Sequence, residues 1–270
     1  MIACLAIMGV TAGASLASAS RARRDRALAR VRLVAEAAQQ VVMRPIPREA
    51  GPVGIAMRYL SAAEDARVGG DLVEVASTPD CVRIVLGDAE GKGLPALQSA
   101  AMVLSVFREA AHEEKNLTAI VSRIETSLAR QLGDEQFVTA VFAEISADGS
   151  AMDLLCCGHP APLVLGPGGV RFAGCEQGSL PLGLGDLTGE PRSTVTIPFG
   201  PGDQMLFYTD GITEARNRAG EFFPLIDCVS LRPQVPPDLL LDRLRDEMTR
   251  HVGHAPDDDV ALLLVYRGKP

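Results

Sequence analysis

The order of its apolar runs constrains the fold of this chain more than any other feature of the sequence. Strand-like runs, several with apolar residues at alternate positions, occupy 53–60, 72–76, 81–87, 136–146, 151–157, 161–165, 192–198, 203–208 and 259–267. Helix-like segments occupy 94–112, 116–131 and 237–251. Strands, then two consecutive helices, then many strands do not have the rhythm of repeated βαβ units. The order predicts an α+β fold with mainly antiparallel sheets.

Four acidic clusters lie along this pattern, and three of them stand where a strand-like run begins or ends. They contain Asp71, Asp88, Asp210 and the triplet 257–259. A strand end can hold a carboxylate rigidly in a cleft, but several carboxylates that converge without basic partners repel one another. Hard divalent cations such as Mg²⁺ or Mn²⁺, which prefer oxygen ligands, relieve that repulsion. The clusters therefore predict a carboxylate-built metal site.

Each cluster by itself is unspecific. Gly69-Gly70-Asp71 is also compatible with an ordinary turn, and 87–93 with an ordinary strand-turn-helix connection. Three adjacent aspartates in front of a buried strand are harder to explain by packing. The joint order of the clusters and their placement at strand ends favour the metal site.

The net charge of the chain indicates which classes of partner to expect. The formal net charge is −8, and no basic stripe is present. A nucleic-acid-binding protein normally shows such a stripe. We therefore expect no nucleic-acid partner, and a metal-dependent nuclease is disfavoured.

The first 20 residues carry no charge, and arginines follow at 21, 23, 24 and 26. Twenty such residues are just long enough to cross a bilayer. We predict a single membrane anchor at 1–20, and the following arginines place the rest of the chain in the cytoplasm. A signal peptide is the alternative, although its basic residues would precede the apolar stretch. A frayed or truncated start is the third possibility.

Residues 21–48 are predicted to form a linker. Apolar residues recur at helical spacing over 22–43, and Pro45 and Pro47 end the pattern. Such a helix can pair with a second copy of itself, which would give a homodimer. It can equally pack on its own domain.

Seven sequence blocks follow one another along the chain, namely VGGD (68–71), GDAEGKG (87–93), FVTAVFAEI (137–145), CGHPAP (157–162), LPLGL (180–184), YTDGITEARN (208–217) and DDDV (257–260). In this order they resemble the PPM family of metal-dependent protein serine/threonine phosphatases (type 2C), in its bacterial SpoIIE-like branch. The resemblance covers about residues 40–268.

The resemblance implies an αββα sandwich over residues 49–268 with two Mn²⁺ or Mg²⁺ ions at one end. It implies that Asp88 bridges both ions and that the carbonyl oxygen of Ala89 binds one. Asp210 and Asp258 would complete the second site, and Asp71 would hold metal directly or through water. Asp258 is preferred because the family's ligand stands two residues before Val260, but Asp257 and Asp259 remain possible.

The activity implied is hydrolysis of phosphoserine or phosphothreonine in a protein, such as an anti-sigma-factor antagonist, by a metal-activated water. Asp88 and Asp210 would be the central catalytic residues. The alternative is a pseudophosphatase that binds a phosphoprotein without turnover. The turn after Asp88 lacks the histidine that is common in this stretch of the family. Lys92, in the same turn, would either contact phosphate or be solvated. His159 is expected to stabilise a turn rather than act as an acid.

Overall fold

The computed structural model describes residues 42–60, 69–131, 136–174, 180–185, 192–230, 235–254 and 256–268. Its strands are β1 (Glu49–Ala50), β2 (Val53–Leu60), β3 (Asp71–Ser77), β4 (Cys81–Ala89), β5 (Val138–Ser146), β6 (Ala151–Cys157), β7 (Leu163–Gly166), β8 (Gly169–Phe172), β9 (Val195–Pro198), β10 (Gln204–Tyr208) and β11 (Val260–Tyr266). Its helices are α1 (Leu94–Glu113), α2 (Leu117–Gln131), α3 (Asp210–Thr213), α4 (Leu225–Ser230) and α5 (Pro237–Val252).

The strands form two sheets. Sheet A has the order β1-β2-β11-β10-β7-β8, and sheet B has the order β3-β4-β5-β6-β9. Neighbouring strands in both sheets run antiparallel. The α+β prediction with mainly antiparallel sheets is therefore confirmed.

Alternation along β4 shows how the layers arise. Val82, Ile84 and Leu86 enter the core between the two sheets, whereas Val85 and Ala89 face the helices α1 and α2 on the outer side of sheet B. Successive strand residues point to opposite faces, so one strand supplies two cores. Both sets are apolar because both faces of sheet B are covered.

The outer face of sheet A is covered by α5. Its inner stripe is buried and consists of Leu240, Leu241, Leu244 and Met248. These positions recur at helical spacing, which places them on one face of the helix. Helices, sheet B, sheet A and helices stack in that order, as the predicted αββα sandwich requires.

Four short elements were not predicted, namely β1, β8, α3 and α4. None of them is longer than 6 residues. An element this short contains too few residues for a hydrophobic period to be recognised. The helix α3 matters most, because Asp210 is its first residue and directly follows the β10 strand and Thr209.

The structure contradicts the predicted membrane localisation. Within the described ranges, no helix is long and apolar enough to cross a membrane. The longest, α1, has 20 residues, but its outer face carries the exposed charged side chains of Glu109 and Glu113. The segment predicted as the anchor, residues 1–20, lies outside the described residues.

Most of the predicted linker, 21–41, also lies outside the described residues. Its end is described, and there Val42 and Met43 pack against the core between sheet B and its helices. Arg108 of α1 also donates a hydrogen bond to the carbonyl oxygen of Val42. The end of the linker therefore packs on its own domain, and pairing with a second copy stays a prediction.

Candidate metal centre

Sheet B contributes Asp71 and Asp88. The antiparallel register of β3 and β4 pairs these two residues directly. Asp71 and Val73 are two positions apart on β3 and therefore point to the same face of the sheet, as do Leu86 and Asp88 on β4. Val73 and Leu86 both lie in the core between the sheets. Both carboxylates therefore face the space between the sheets, at the end where that core stops.

Sheet A contributes Asp210 and Asp258 at its corresponding end. Tyr208, the last residue of β10, pairs with Leu262 near the start of β11. Asp210 follows β10 by two positions, and Asp258 precedes β11 by two positions. Adjacent antiparallel strands place these two ends side by side. Thr209, the residue before Asp210, donates a hydrogen bond to Oδ2 of Asp71 over 3.2 Å, so the strand ends of the two sheets meet at this end of the sandwich.

Burial and mutual repulsion both disfavour the charged form of these carboxylates. Burial first, and then the charges of Asp88 and Asp259, raise the pKa of Asp71 well above its ordinary value. Burial, followed by the charges of Asp210 and Asp258, raises the pKa of Asp88 to about 7. Burial also raises the pKa of Asp210, with Glu214 and Asp258 adding to it. A cation that balanced these charges would lower all three values.

Gly70 provides the space in which two of the predicted ligands converge. A Cβ atom at this position would lie 2.1 Å from the carbonyl oxygen of Ala89 and 2.8 Å from Oδ1 of Asp88. The backbone N–H of Ala89 donates to the carbonyl oxygen of Gly70 over 3.1 Å. Only a residue without a side chain fits here, so the glycine keeps both oxygen atoms close to the β3 end.

The three aspartates at 257–259 differ in burial and in their contacts. Asp259 is buried, and its Oδ2 accepts hydrogen bonds from the N–H of Gly69 at 3.0 Å and the hydroxyl of Tyr59 at 2.6 Å. Asp257 and Asp258 are exposed. Asp259 thus clamps the start of β3 to sheet A, whereas Asp257 and Asp258 both remain exposed. The choice of Asp258 as the ligand of the triplet stays a prediction.

Thr209 is a buried residue at the site that sequence reasoning missed. Its hydroxyl donates to Oδ2 of Asp71 over 3.2 Å and accepts from the N–H of Ala261 over 2.9 Å. This contact joins Asp71 of sheet B to sheet A. Its signal in the sequence was only its place between a strand end and Asp210.

Lys92 is the basic group that acts on the cluster. Its Nζ lies 3.2 Å from Oδ1 of Asp258 and 3.2 Å from the carbonyl oxygen of Asp257. Its charge also opposes the rise in the pKa of Asp88. Lys92 is therefore paired with acidic residues of the site, and the expectation that it is merely solvated does not describe its contacts.

The donor set suits a hard cation. It consists of carboxylate oxygens and one backbone carbonyl, which are the ligands of Mg²⁺ and Mn²⁺, and the raised pKa values show that negative charge there is poorly balanced. As placed, however, no three Asp, Glu, His or Cys side chains of the described ranges form a group that could hold one ion. The fit rests on the chemistry and convergence of the donors, and the ligand set stays a prediction.

Comparisons with known proteins find matches over most of the chain. The RsbU and RsbW domains of Rv1364c from Mycobacterium tuberculosis match with 26% identity and a TM-score of 0.70, over 86% of this chain and 64% of that one. The SiaA-PP2C domain of Pseudomonas aeruginosa matches with 15% identity and a TM-score of 0.71, over 93% and 98% of the two chains. At 15% identity this second match shows the fold alone.

A curated relative is Protein IcfG of Synechocystis sp., which is 28% identical over 148 residues. That match covers 52% of this chain and 22% of IcfG, so the chain spans about a fifth of this relative's length. The family model of Stage II sporulation protein E (SpoIIE) matches residues 78–268. The match takes in β4, both helices of the sheet B layer, and the segments that carry Asp88, Asp210 and Asp258. The chain therefore belongs to the SpoIIE family.

Proposed function

We propose that residues 49–268 form a phosphatase domain that hydrolyses phosphoserine or phosphothreonine in a protein with two divalent ions, Mn²⁺ or Mg²⁺. The observation that carries the proposal is geometric: the strand pairing that sets Asp71 opposite Asp88, and the hydrogen bond from Thr209 to Asp71, bring these carboxylates to the end of the sandwich where Asp210 and Asp258 flank β10 and β11. Acidic side chains that repel one another cost stability. Such an arrangement is explained if it serves to bind cations.

The ligands proposed are those that the family resemblance implies. Asp88 would contact both ions, the Ala89 carbonyl oxygen would serve one of them, and Asp210 and Asp258 would serve the other. Asp71 would hold metal directly or through water. Two ions held this way would supply an acidified water as nucleophile and would neutralise charge on the phosphoryl oxygens. A protein nucleophile is then unnecessary.

The chain's own residues determine the direction of access. Asp71 is buried and held by Thr209, so it forms the floor of the site. Asp258 and Lys92 have side chains that are 53% and 40% exposed, so they lie at its mouth. A phosphorylated side chain would enter past this pair. The ammonium group of Lys92 would then be available to the incoming phosphate when its pairing with Asp258 is released.

The substrate class proposed is a phosphoprotein, and the resemblance to the SpoIIE-like branch favours an anti-sigma-factor antagonist. The open rim at Asp258 suits a side chain presented on a protein surface. The second candidate is a pseudophosphatase, which would bind the phosphoprotein without hydrolysing it. The presence of Asp88, Asp210 and Asp258 favours the enzyme.

The test is hydrolysis of a phosphoserine peptide with and without Mn²⁺, with the full chain. Asp210→Asn is expected to lower kcat by at least about 100-fold, because it removes a charged ligand of the ion that acts on the phosphoryl group. Asp80→Asn is the matched control, since it makes the same charge change at an exposed turn. Binding of the peptide without Mn²⁺-dependent turnover in the wild type would support the pseudophosphatase instead.

A further inference from the structure

His159 lies where the two sheets meet. It follows β6 by two positions and is buried, with 7% of its surface exposed. Its Nδ1 lies 3.0 Å from Oγ1 of Thr139 on β5 of sheet B. Its Nε2 lies 3.1 Å from the carbonyl oxygen of Tyr208 on β10 of sheet A. One imidazole ring therefore joins the two sheets.

The partners determine which nitrogen carries the proton. The carbonyl oxygen of Tyr208 can only accept a hydrogen bond, so Nε2 of His159 is the protonated nitrogen. Burial lowers the pKa of His159 to about 4, although the hydrogen bond to Tyr208 acts in the opposite direction. The ring is therefore neutral at physiological pH, and its Nδ1 accepts from the hydroxyl of Thr139. Both nitrogens are used, which leaves neither to act as an acid on a leaving group.

Both partners of His159 stand next to proposed ligands. Thr139 pairs with Asp88 in the β4–β5 register, and its hydroxyl oxygen lies 3.3 Å from the Asp88 carbonyl oxygen. Tyr208 is two positions before Asp210. The Thr139 hydroxyl has one proton, which His159 receives, so Thr139 is tied to Asp88 by the strand pairing. This pairing, the two hydrogen bonds of His159 and the short backbone step from Tyr208 to Asp210 connect Asp88 to Asp210 across the two sheets.

Two other side chains also cross between the sheets here, but they do so with carboxylates. Thr209 binds Asp71, and Asp259 binds the N–H of Gly69. His159 differs because it engages backbone and hydroxyl groups only. It therefore fixes the separation of the two strand ends without using a carboxylate that a cation could take.

We propose that His159 is a positioning residue whose hydrogen bonds to Thr139 and Tyr208 set the distance between Asp88 and Asp210. The proposal rests on the proposed function, because that distance matters only if the two carboxylates serve one metal centre. Residues that orient metal ligands typically change metal affinity or activity by about 10–100-fold when they are lost.

The experiment removes the hydrogen bond between Thr139 and His159 by changing Thr139, because valine and threonine have nearly the same shape. Thr139→Val replaces the hydroxyl by a methyl group, and Thr139→Ser keeps the hydroxyl as the matched variant. We expect Thr139→Val to weaken Mn²⁺ binding, measured by calorimetry, by about tenfold and to lower kcat by about tenfold. The KM for a phosphoserine peptide should stay within about twofold, and Thr139→Ser should restore most of the Mn²⁺ affinity.

Nitrogen NMR of the imidazole gives a readout that does not depend on activity. The wild type should show a protonated Nε2 and an unprotonated Nδ1 from pH 5 to pH 8, and Thr139→Val should shift the Nδ1 resonance. Unchanged Mn²⁺ affinity in Thr139→Val would overturn the proposal. So would a pH–rate limb that is present in the wild type and lost in His159→Asn, because that result would make His159 an acid.

The two proposals can fail separately. If the wild type binds Mn²⁺ but releases no phosphate, the proposed function fails, and the bridge is still judged by Mn²⁺ affinity and by the NMR tautomer. If phosphate is released and Thr139→Val behaves as the wild type, the bridge alone fails. Absence of Mn²⁺ binding in the wild type would overturn both.

Discussion

Replacement of Asp88 by Asn is expected to stabilise the metal-free protein at alkaline pH. Burial and the charges of Asp210 and Asp258 raise the pKa of Asp88 from 3.8 to about 7. Between these values the folded protein holds a proton that the unfolded chain has released. The stability that this proton contributes is complete below pH 3.8 and is lost as the pH rises through about 7.

The size of the effect follows from the gap between the two pKa values. About three pH units at 1.36 kcal/mol each correspond to roughly 4 kcal/mol of unfolding free energy. This figure is an upper bound for Asp88, because neighbouring carboxylates titrate together with it. Asparagine carries no charge at any pH, so Asp88→Asn should raise the free energy of unfolding by about 2–4 kcal/mol at pH 8 and change it little at pH 4.

Urea unfolding in EDTA at pH 4, 6 and 8 measures this difference directly. Asp80→Asn serves as the control, because it removes one exposed carboxylate outside the cluster. Saturating Mn²⁺ should restore the stability of the wild type at pH 8 and should have much less effect on Asp88→Asn, because a cation bound to the folded state stabilises it. Equal pH dependence in the wild type and Asp88→Asn would refute the reasoning, as would an equal gain in Asp80→Asn.

Three further substitutions test the surroundings of the carboxylates. Gly70→Ala should weaken Mn²⁺ binding in calorimetry by at least about tenfold, because the added Cβ would displace two proposed ligand oxygens. Gly168→Ala is the control and should leave Mn²⁺ binding unchanged, because no atom lies within 4 Å of a Cβ built at Gly168. Lys92→Gln should tighten Mn²⁺ binding by about 2–5-fold, since it removes a cation from an exposed ion pair; weaker binding would contradict this. Tyr59→Phe should lower the free energy of unfolding in urea by about 1.5–3 kcal/mol, because it removes a donor to a buried carboxylate; an unchanged midpoint would argue against the clamp.

The fold was predictable to a large extent, because hydrophobic alternation is local. The residues of β4 that face the inter-sheet core recur at every second position and can be recognised without any partner strand. Which strands lie side by side was not predictable in the same way. Strand β2 pairs with β11, and Val260 lies opposite Leu60, although they are far apart in the chain. Pairing over such a distance depends on the whole arrangement of the sheets.

The candidate site was predicted in its acidic members and missed in its supporting members. Asp71, Asp88, Asp210 and Asp258 were identified by their strand ends and by the family blocks, and their role as ligands stays a prediction. Thr209, Thr139 and the bridging role of His159 were not anticipated. A hydroxyl or an imidazole in a strand or a loop carries no local signal of the group that it will contact.

The sequence by itself determined the chemistry available to this protein. It supplies hard oxygen donors at the ends of apolar strands, with few cations beside them, and in the block order of one family. Only the tertiary structure decided that Asp259 is buried while the other two aspartates of the triplet stay exposed, because Asp259 contacts Gly69, which lies 190 positions away in the chain. It also decided that His159 joins the two sheets. Such contacts depend on how the sheets stack, and a local sequence pattern does not indicate which residues far apart in the chain will meet.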